Sequence, residues 1–470
     1  MSATDGRAAA DVVAAFLGTV SERAPEDSLH TAKRILLNGL RASLSASGEA
    51  LPGLVAGSEL ARVGVGPGRS GLLWSDTRLP LEESVAVNVL SWTLLLLDDL
   101  DVVSGIHPGA PAACAALPLA VASGASGRDL LAAIVAGIEV QIALARASAP
   151  EMLQERGFAP LSVIAPLGAV SAAVVLGRPR PAVARDAIGI ASMSGFGVWE
   201  MGGTASSLFL SGNATRLGVA ALRAAALGVD APPRALDGDF GAFRAYSGKP
   251  TDVLHEHLAR LGADWTTTSV ALQPFSGDTY SQAPLEAVRA LKRRLGTRRC
   301  DDPVDAIIVT VQDRVALGVE RKLARHPRVE TALGLNSDPQ SRVAAAWLHD
   351  VYTYSPAFAD LVDDTRVAQL RYQVRFRADD AVPDMTAARV DVHFCDGEHE
   401  SAHVDGFQGS ARCELPDDDL SQWFAAAAEP LLGAERVDAI LDQVWHLERA
   451  GTLTRLADAV FAAPSSDPAR

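Results

Sequence analysis

Residues 82–97 read EESVAVNVLSWTLLLL, and this stretch points to a helical fold. After its two glutamates it is apolar on nearly every face of a helix, which is typical of a helix at the centre of a large bundle. Closer to the N-terminus, segment 29–46 carries a single apolar stripe at helical spacing. A central helix beside an amphipathic one predicts a multi-helix bundle, and the stripe consists of Ile35, Leu36, Leu40 and Leu44.

Helical patterns continue on the C-terminal side of this stretch. Residues 128–145 form a long apolar segment that Ser126 would cap, and the Ala-rich segment 212–227 permits close helix packing. Near residue 266 the pattern changes to alternating, β-branched stretches. We predict strands over 305–312, 370–377 and 388–395, a hairpin turn at Asp396-Gly397 into 398–404, helices over 283–295 and 339–351, and further helices over 419–462.

These patterns define the predicted architecture. The fold is expected to be mainly α, with a large all-α helical domain over residues 1–265 and a smaller α+β domain over 266–425. Residues 426–470 are expected to pack back on the first domain, because their pattern returns to helix after the strands end.

Composition excludes several classes of function. The chain has 470 residues, of which 48% are hydrophobic and 21% charged, as in a globular protein of more than one domain. Its net charge of −15 leaves no general basic surface, so neither nucleic acid nor an anionic membrane is an expected partner. The four cysteines lie far apart, which argues against a metal site. The first residues resemble an amphipathic helix more than a signal peptide, which predicts a cytoplasmic protein.

An acidic segment follows the central apolar stretch. It contains Asp98, Asp99 and Asp101, with His107 shortly after it. Three carboxylates at the end of an apolar helix are costly unless they are solvated, capped or used in a site. Taken alone, a solvated helix end is the more ordinary interpretation. His107 is the candidate general acid or base, because imidazole titrates near neutral pH.

Three further segments could belong to a site: 157–160, 199–204 and 273–282. In the second, Gly202 and Gly203 next to hydroxyl side chains could bring backbone N–H groups close to an anion. The lysine of a phosphate-binding loop is missing, so nucleotide binding is not expected. The polar density of the third segment suggests a loop over a cleft, and a plain surface turn is an equal alternative.

The order of these segments resembles that of the MmgE/PrpD family, which includes 2-methylcitrate dehydratase, cis-aconitate decarboxylase and iminodisuccinate epimerase. The resemblance covers nearly the whole chain. It is carried by Asn88, Asp98-Asp99, His107-Pro108-Gly109, segments 124–129 and 136–140, Gly157-Phe158, Gly203-Thr204, segments 212–214, 236–243 and 339–342, the strand over 390–397, and Trp423-Phe424.

Membership of this family implies an active cleft between a large helical domain and a smaller α+β lid domain, usually in a homodimer. It also implies acid–base catalysis on carboxylate-bearing substrates by side chains from both domains. No metal or organic cofactor is implied for most members.

The first domain departs from the family pattern at several polar positions. In the acidic motif, Leu96 stands where the family has Asp and Leu100 where it has Thr. The histidine that follows Gly-Phe in the family is replaced by Ala159. In a later motif the family's Lys falls at Ser207 and its His at Leu210.

The second domain shows the same trend, with Gln273 in place of a family Lys and Gln282 in place of a His. Lys and His give charge-assisted bonds to carboxylates, so their loss predicts a less anionic and more apolar substrate.

We predict catalytic roles for His107, Asp98, Asp99 and Tyr280, and substrate contacts from Leu96, Leu100, Ala159, Ser207, Leu210, Gln273, Asp278 and Gln282.

The sequence therefore predicts a lyase- or isomerase-type enzyme that dehydrates, isomerises or cyclises an apolar, polyketide-like small molecule without a cofactor. Loss of several polar groups also fits a non-catalytic binding or partner protein with the same fold. A classical dehydratase or decarboxylase of a small carboxylic acid is a further alternative. The enzyme is favoured because the replacements are neutral, whereas a decayed site would also collect charged residues.

Overall fold

Helices dominate the first half of the chain. The computed structural model describes residues 6–47, 69–202, 204–300, 302–325, 328–354 and 358–464. The first 265 residues contain α1 Ala9–Leu17, α2 Val20–Arg23, α3 Glu26–Ser45, α4 Leu81–Thr93, α5 Gly109–Ser123, α6 Gly127–Ser148, α7 Glu151–Gln154, α8 Pro160–Gly177, α9 Pro181–Ser192, α10 Ala205–Ala226, α11 Ala242–Ser247 and α12 Thr251–Leu258.

Three short strands accompany these helices. β1 Ser70–Gly71 pairs with β2 Arg78–Leu79, so the described part of the predicted all-α domain contains one small antiparallel ribbon. β3 Asp99–Leu100 pairs with β4 Ala271–Leu272, which belongs to the second half of the chain.

The second half contains the main sheet and its helices. The strands are β5 Val304–Val311, β6 Val374–Ala378, β7 Ala388–Phe394 and β8 His399–Val404, in the order β6-β5-β7-β8. β5 and β6 are parallel, and the other neighbours are antiparallel. The helices are α13 Gln282–Cys300, α14 Asp313–Arg325, α15 Ala332–Ser337, α16 Pro339–His349, α17 Phe358–Val362, α18 Thr365–Gln373, α19 Asp417–Leu432, α20 Ala434–Trp445 and α21 Thr454–Val460.

Two large clusters of buried apolar side chains form the two cores. The first joins α1–α12 to the C-terminal helices α19–α21, through residues such as Phe424 and Val460. The second joins the sheet to α13–α18, through residues such as Ile307 and Trp347. The mainly α fold with a smaller α+β part is as predicted. The boundaries at residues 265 and 425 stay a prediction; the first core also includes Val270, Leu272, Leu415 and Leu420 from the predicted second domain.

The β3–β4 pair lies where the two cores meet. Leu272 contributes to the first core, whereas Leu100 and Ala271 contribute to the second. Because the pairing aligns Asp99 with Leu272 and Leu100 with Ala271, the acidic segment is fixed at this junction. The side chains that follow on each chain segment can therefore converge on one place.

Local sequence signals explain several element boundaries. Ser126 and Asp129 form a reciprocal capping box at the start of α6, as the sequence indicated. Gly397 has a φ of 89° and turns the chain between β7 and β8, which is the predicted hairpin. Helices α6 and α8 are long and apolar enough to cross a membrane, but most of each is buried inside the protein, as in core helices of soluble proteins.

Two element predictions were wrong in part. Residues 370–373 were assigned to a strand but form the last turn of α18, and the strand starts only at Val374. The side chain of Asp364 caps α18 by accepting hydrogen bonds from the backbone N–H groups of Arg366 and Val367, so the helix begins before the alternating residues and extends into them. The central apolar stretch was expected to be helical to residue 97, but α4 ends at Thr93, and Leu96 has a φ of 51°.

Candidate active site

A cavity of about 190 Å³ lies between the two cores. The first half of the chain contributes one wall, including Leu96, His107, Ala159 and Ser207. The other wall comes from the second half and consists of Asp278, Thr279, Tyr280, Arg314, Lys322, Leu333, Ser337 and Met385. Both halves of the chain are therefore needed to form the site.

Much of the cavity wall is apolar. Leu153, Leu161, Trp199 and Met201 contribute large side chains to it, together with Leu333 from the second half. Such a wall favours a ligand with an apolar body, because burial of apolar surface contributes about 25 cal/mol per Å². Among the polar residues of the cavity wall, serine and threonine are the commonest.

A tight loop holds His107 at the edge of the cavity. Asp101 accepts hydrogen bonds from the backbone N–H and the hydroxyl of Ser104, and Gly105 has a φ of 78°. Asp101 and Ile106 then pair as an isolated β-bridge. Asp101 also forms an ion pair with Arg146 at 2.5 Å, which ties the loop to α6. The loop thus returns the chain to the β3 strand just before His107.

The two ring nitrogens of His107 have different surroundings. Nδ1 lies 2.6 Å from the carbonyl oxygen of Asp99 and 3.2 Å from Oδ1 of Asp98. Both of these atoms are acceptors, so Nδ1 carries a proton and donates. Nε2 lies 3.5 Å from the hydroxyl oxygen of Thr279, which also lines the cavity. Nε2 is therefore the nitrogen that can exchange a proton with a ligand.

Burial and charge act in opposite directions on His107. Burial alone would lower the pKa of His107, but the charge and hydrogen bond of Asp98 and the charge of Asp99 outweigh it and raise the pKa to about 9. Burial, followed by the negative charge of Asp98, raises the pKa of Asp99 above its ordinary value. His107 is therefore cationic at neutral pH and pairs with the buried carboxylate of Asp98.

The acidic segment is not a solvated helix end, so that interpretation was wrong. Asp98, Asp99 and Asp101 are each 1% exposed or less. Asp98 pairs with His107, Asp101 with Arg146, and Oδ2 of Asp99 accepts a hydrogen bond of 2.7 Å from the backbone N–H of Gly109. Each carboxylate has a specific partner, which is what burial of a charged group requires.

Gln273 supports Asp98 from the second half of the chain. Its backbone N–H donates to the carbonyl oxygen of Asp98 at 3.0 Å. With its amide turned so that the oxygen accepts from Thr279 Oγ1 at 3.2 Å, its nitrogen donates to Asp98 Oδ1 at 3.3 Å and to the Leu96 carbonyl at 3.2 Å. Gln273 is completely buried and does not line the cavity. It holds catalytic candidates in place without reaching a ligand.

Asp278 and Tyr280 lie in the cavity wall close to Lys322. Asp278 caps the short turn that contains Tyr280 and forms an ion pair with Lys322. The Lys322 ammonium also lies 5.7 Å from the centre of the Tyr280 ring. Burial, followed by the charge of Asp278, raises the pKa of Tyr280 to about 12, so the phenol stays protonated and can donate a hydrogen bond.

Seven of the predicted site residues line the cavity: Leu96, Asp98, His107, Ala159, Ser207, Asp278 and Tyr280. Five do not. Leu100 is fully buried in the second core, because β3 turns its side chain away from the cavity. Leu210 is half-buried on α10, one turn beyond Ser207. The side chain of Asp99 caps α5, and both Gln273 and Gln282 bond to backbone groups of their own segment or its neighbours.

Two cationic residues of the cavity were missed in the sequence. Arg314 and Lys322 lie on α14 and belong to the cavity wall. They were overlooked because α14 reads as an ordinary amphipathic helix far along the chain from the acidic segment. The available signal was their spacing of eight residues, which places both on one side of a helix.

The arrangement suits proton transfer to or from a mostly apolar ligand. Within the described ranges, no group of three or more His, Cys, Asp or Glu side chains has the arrangement of a metal site.

Gly203, part of the segment that could have formed an anion nest, lies outside the described residues. The neighbouring Thr204 directly precedes α10, and its hydroxyl bonds to the Met201 carbonyl and to the Ser206 hydroxyl.

Two family models match the chain over most of its length. The MmgE/PrpD N-terminal domain matches residues 12–254, and the MmgE/PrpD C-terminal domain matches residues 275–447. The cis-aconitate decarboxylase of Mus musculus is 26% identical over 408 residues, which cover 82% of this chain and 81% of the relative. The cis-aconitate decarboxylase of Homo sapiens is 26% identical over 406 residues, which cover 81% and 79%. The chain belongs to the MmgE/PrpD family.

Proposed function

We propose that this protein is a lyase-type enzyme that dehydrates, isomerises or cyclises a small molecule with an apolar, polyketide-like body. The observation that carries the proposal is the position of His107. Its Nδ1 is held by Asp98 and by the Asp99 carbonyl, while its Nε2 is directed towards Thr279 in the cavity. A fixed imidazole beside an apolar cavity is what general acid–base catalysis on an apolar substrate requires.

His107 would act first as an acid. With a pKa of about 9, its imidazolium holds a proton on Nε2 at neutral pH and can transfer it to a leaving hydroxyl or to a carbon that gains an electron pair. Asp98 would stabilise the charged form before the transfer, and the neutral imidazole could then accept a proton from the substrate. No cofactor takes part in the proposed reaction.

Tyr280 would assist as a hydrogen-bond donor. Its phenol stays protonated at neutral pH because its pKa is raised to about 12. A neutral donor aimed at an oxygen on which negative charge develops stabilises the transition state more than the ground state. Lys322 lies 5.7 Å from the centre of the ring, but its charge is neutralised by the ion pair with Asp278, so the phenol itself would be the donor.

The proposal can be tested with a metabolite extract of the source organism. Wild-type protein and His107→Ala are incubated with the extract, and the products are compared by untargeted mass spectrometry. We expect the wild-type protein alone to consume a compound and to form one that has lost water, or an isomer with a new retention time; loss of carbon dioxide would instead favour the classical decarboxylase alternative. The His107→Ala variant should be slower by roughly 100-fold or more.

A surface histidine provides the matched control. His403 is exposed and pairs with Asp405, so His403→Ala should act like the wild-type protein. No change with wild-type protein under any extract condition would favour the non-catalytic alternative. Equal conversion by wild-type protein and His107→Ala would sink the role of His107.

The biological setting is also part of the proposal. We propose a cytoplasmic homodimer, in line with the family resemblance and with core helices that bury their apolar faces. Sedimentation equilibrium of the purified protein should give about twice the mass of one chain. A single-chain mass across the accessible concentration range would contradict the dimer.

A further inference from the structure

Helix α14 presents a basic side to the cavity and to its edge. Four basic residues lie on one side of this helix. Arg321, Lys322 and Arg325 come seven, eight and eleven residues after Arg314. Arg314 and Lys322 line the main cavity, while Arg321, Lys322 and Arg325 line a small adjoining pocket. This concentration of positive charge stands out in a chain with a net charge of −15.

Two of these cations are already neutralised. Lys322 forms an ion pair with Asp278, and Arg325 lies 3.6 Å from Glu200. Arg314 has a different environment. It donates to the carbonyl oxygens of Val103 at 2.7 Å and Val102 at 2.9 Å, and it has no carboxylate within 4.0 Å among the described residues.

The charges that line the cavity do not cancel. Its acidic residues are Asp98 and Asp278, and these pair with His107 and Lys322. Arg314 is left as a half-buried cation without an anionic partner in the part of the cavity wall that the structure describes. A partly buried charge is stabilised by an opposite charge, so the cavity favours a ligand that brings one.

The guanidinium of Arg314 is also fixed in place. A guanidinium has five N–H donors, of which two bond to the Val102 and Val103 carbonyls and a third is directed at the sulfur of Met385 at 4.0 Å. The Nε–H and one Nη1–H remain; they point to different sides of the guanidinium, so a carboxylate can accept one charge-assisted hydrogen bond from either of them. The carbonyl bonds restrict the side chain before a ligand arrives, so less conformational entropy is lost on binding.

We propose that the cavity binds an amphipathic monocarboxylate, with the carboxylate on Arg314 and the apolar body against Leu153, Leu161 and Trp199. This inference rests on the proposed function and names the substrate class of that site. It assigns Arg314 as a specificity-determining residue. A ligand with one carboxylate balances the charge of Arg314, whereas one with several would place further negative charge beside Asp98 and Asp278.

Three probes with the same apolar body test the inference: octanoate, octanamide and octan-1-ol. Binding to the purified full-length protein is measured by isothermal titration calorimetry at neutral pH. We expect octanoate to bind roughly tenfold or more tightly than octanamide or octan-1-ol, because hydrogen bonds to charged groups are the stronger ones. The preference should weaken as the salt concentration rises.

Variants of Arg314 separate ligand binding from a purely structural role. Arg314→Gln removes the charge and keeps one shorter hydrogen-bond donor, so it should abolish the preference for octanoate while octanamide still binds. Arg314→Lys should restore part of the preference. Arg180→Gln removes an exposed positive charge elsewhere and should leave it intact. Circular dichroism and thermal unfolding confirm that each variant is folded.

The outcomes distinguish this inference from the proposed function. Equal binding of octanoate and octanamide, or an unchanged preference in Arg314→Gln, would overturn the role of Arg314 and leave the apolar cavity intact. Failure of all three probes to bind would overturn the apolar cavity itself, and with it both proposals.

Discussion

At the scale of single residues, the chemistry of the site depends on the two nitrogens of one imidazole. Nδ1 of His107 is bound by acceptors from Asp98 and Asp99, and this leaves Nε2 for a ligand. Because Asp98 is 1% exposed, its charge is weakly screened and acts strongly on the ring. The carboxylate therefore controls the proton affinity of the imidazole, whose Nε2 lies at the cavity.

The first prediction concerns this control. With 15N-labelled histidine, the His107 ring should titrate with a midpoint near the pKa of about 9, and Asp98→Asn should lower the midpoint by roughly one unit or more. NMR measures this midpoint, and the signal of the His107 ring is identified by its absence from the spectrum of His107→Gln. Since the folded-state pKa exceeds the ordinary 6.5, this pairing stabilises the fold below pH 6.5 and is lost as the pH rises through 9. An unchanged midpoint in Asp98→Asn would show that the carboxylate does not set it.

A second prediction separates two leucines that the sequence treated alike. Leu100→Ala should lower the free energy of unfolding by about 2–5 kcal/mol, because Leu100 is fully buried in the second core. Leu210→Ala, at a half-buried position, should cost about 1 kcal/mol or less. Urea denaturation measures both. A stable Leu100→Ala variant that no longer binds octanoate would instead place this side chain against the ligand.

Residue-level prediction succeeded where the chemistry is local in sequence. Asp98 and His107 could be found because the acidic segment and the histidine are neighbours in the chain. Arg314 and Lys322 could not be found in this way, because only the folding of α14 against the cavity brings them near residues far away in sequence. Leu100 was misassigned because a two-residue strand decides which way its side chain points.

At the scale of elements, hydrophobic patterns predicted the existence of helices and strands better than their ends. The helix α4 stops at Thr93 although leucines continue to residue 97, because those leucines pack in an irregular turn between the cores. Similarly, residues 370–373 are helical because the cap at Asp364 starts α18 before the alternating pattern. In both places tertiary packing or a cap outweighs the local pattern.

Close packing between two helices gives a prediction at this scale. Gly39 of α3 lies against Trp92 of α4, and a Cβ at position 39 would lie 1.6 Å from an atom of the indole ring. Gly39→Ala gains about 1 kcal/mol in helix propensity. Overpacking against a ring that is 1% exposed costs about 1–3 kcal/mol or more, so the net effect should be destabilising.

Thermal unfolding of Gly39→Ala checks this result. The control is Gly177→Ala at the end of α8, where the nearest atom to a new Cβ is a Leu222 methyl group at 3.4 Å. The Gly177→Ala variant should unfold at the same temperature as the wild-type protein or at a slightly higher one. A Gly39→Ala variant as stable as the control would mean that α3 and α4 can move apart at little cost.

At the scale of the whole molecule, the site lies between the two cores, and segments from both halves of the chain form its walls. The first core includes helices from both ends of the chain, and the second is inserted between them. The acidic segment and the loop with Asp278 meet at the β3–β4 pair and next to it, where Gly277 bonds to the Leu95 and Leu96 carbonyls and Thr279 lies beside His107. This meeting could be expected from the family resemblance, whereas helical and alternating periodicity alone indicated two domains without showing which faces would join.

The distribution of charge over the molecule leads to the last prediction. The chain carries a net charge of −15, and the described part of its cavity wall has one unpaired cation, so a tricarboxylate such as cis-aconitate should bind poorly and release no carbon dioxide. Ser207 lies in the cavity wall at a position where the family resemblance places a lysine. Ser207→Lys should therefore raise the affinity for cis-aconitate by roughly tenfold, since a charge-assisted bond contributes about 1.5–3 kcal/mol. Ser207→Met adds similar length without charge and should not. Calorimetry measures the affinities, and carbon dioxide release is followed in parallel. Tight binding and decarboxylation of cis-aconitate by the unmodified protein would show that it retains the chemistry named for its relatives, and the apolar substrate would have to be abandoned.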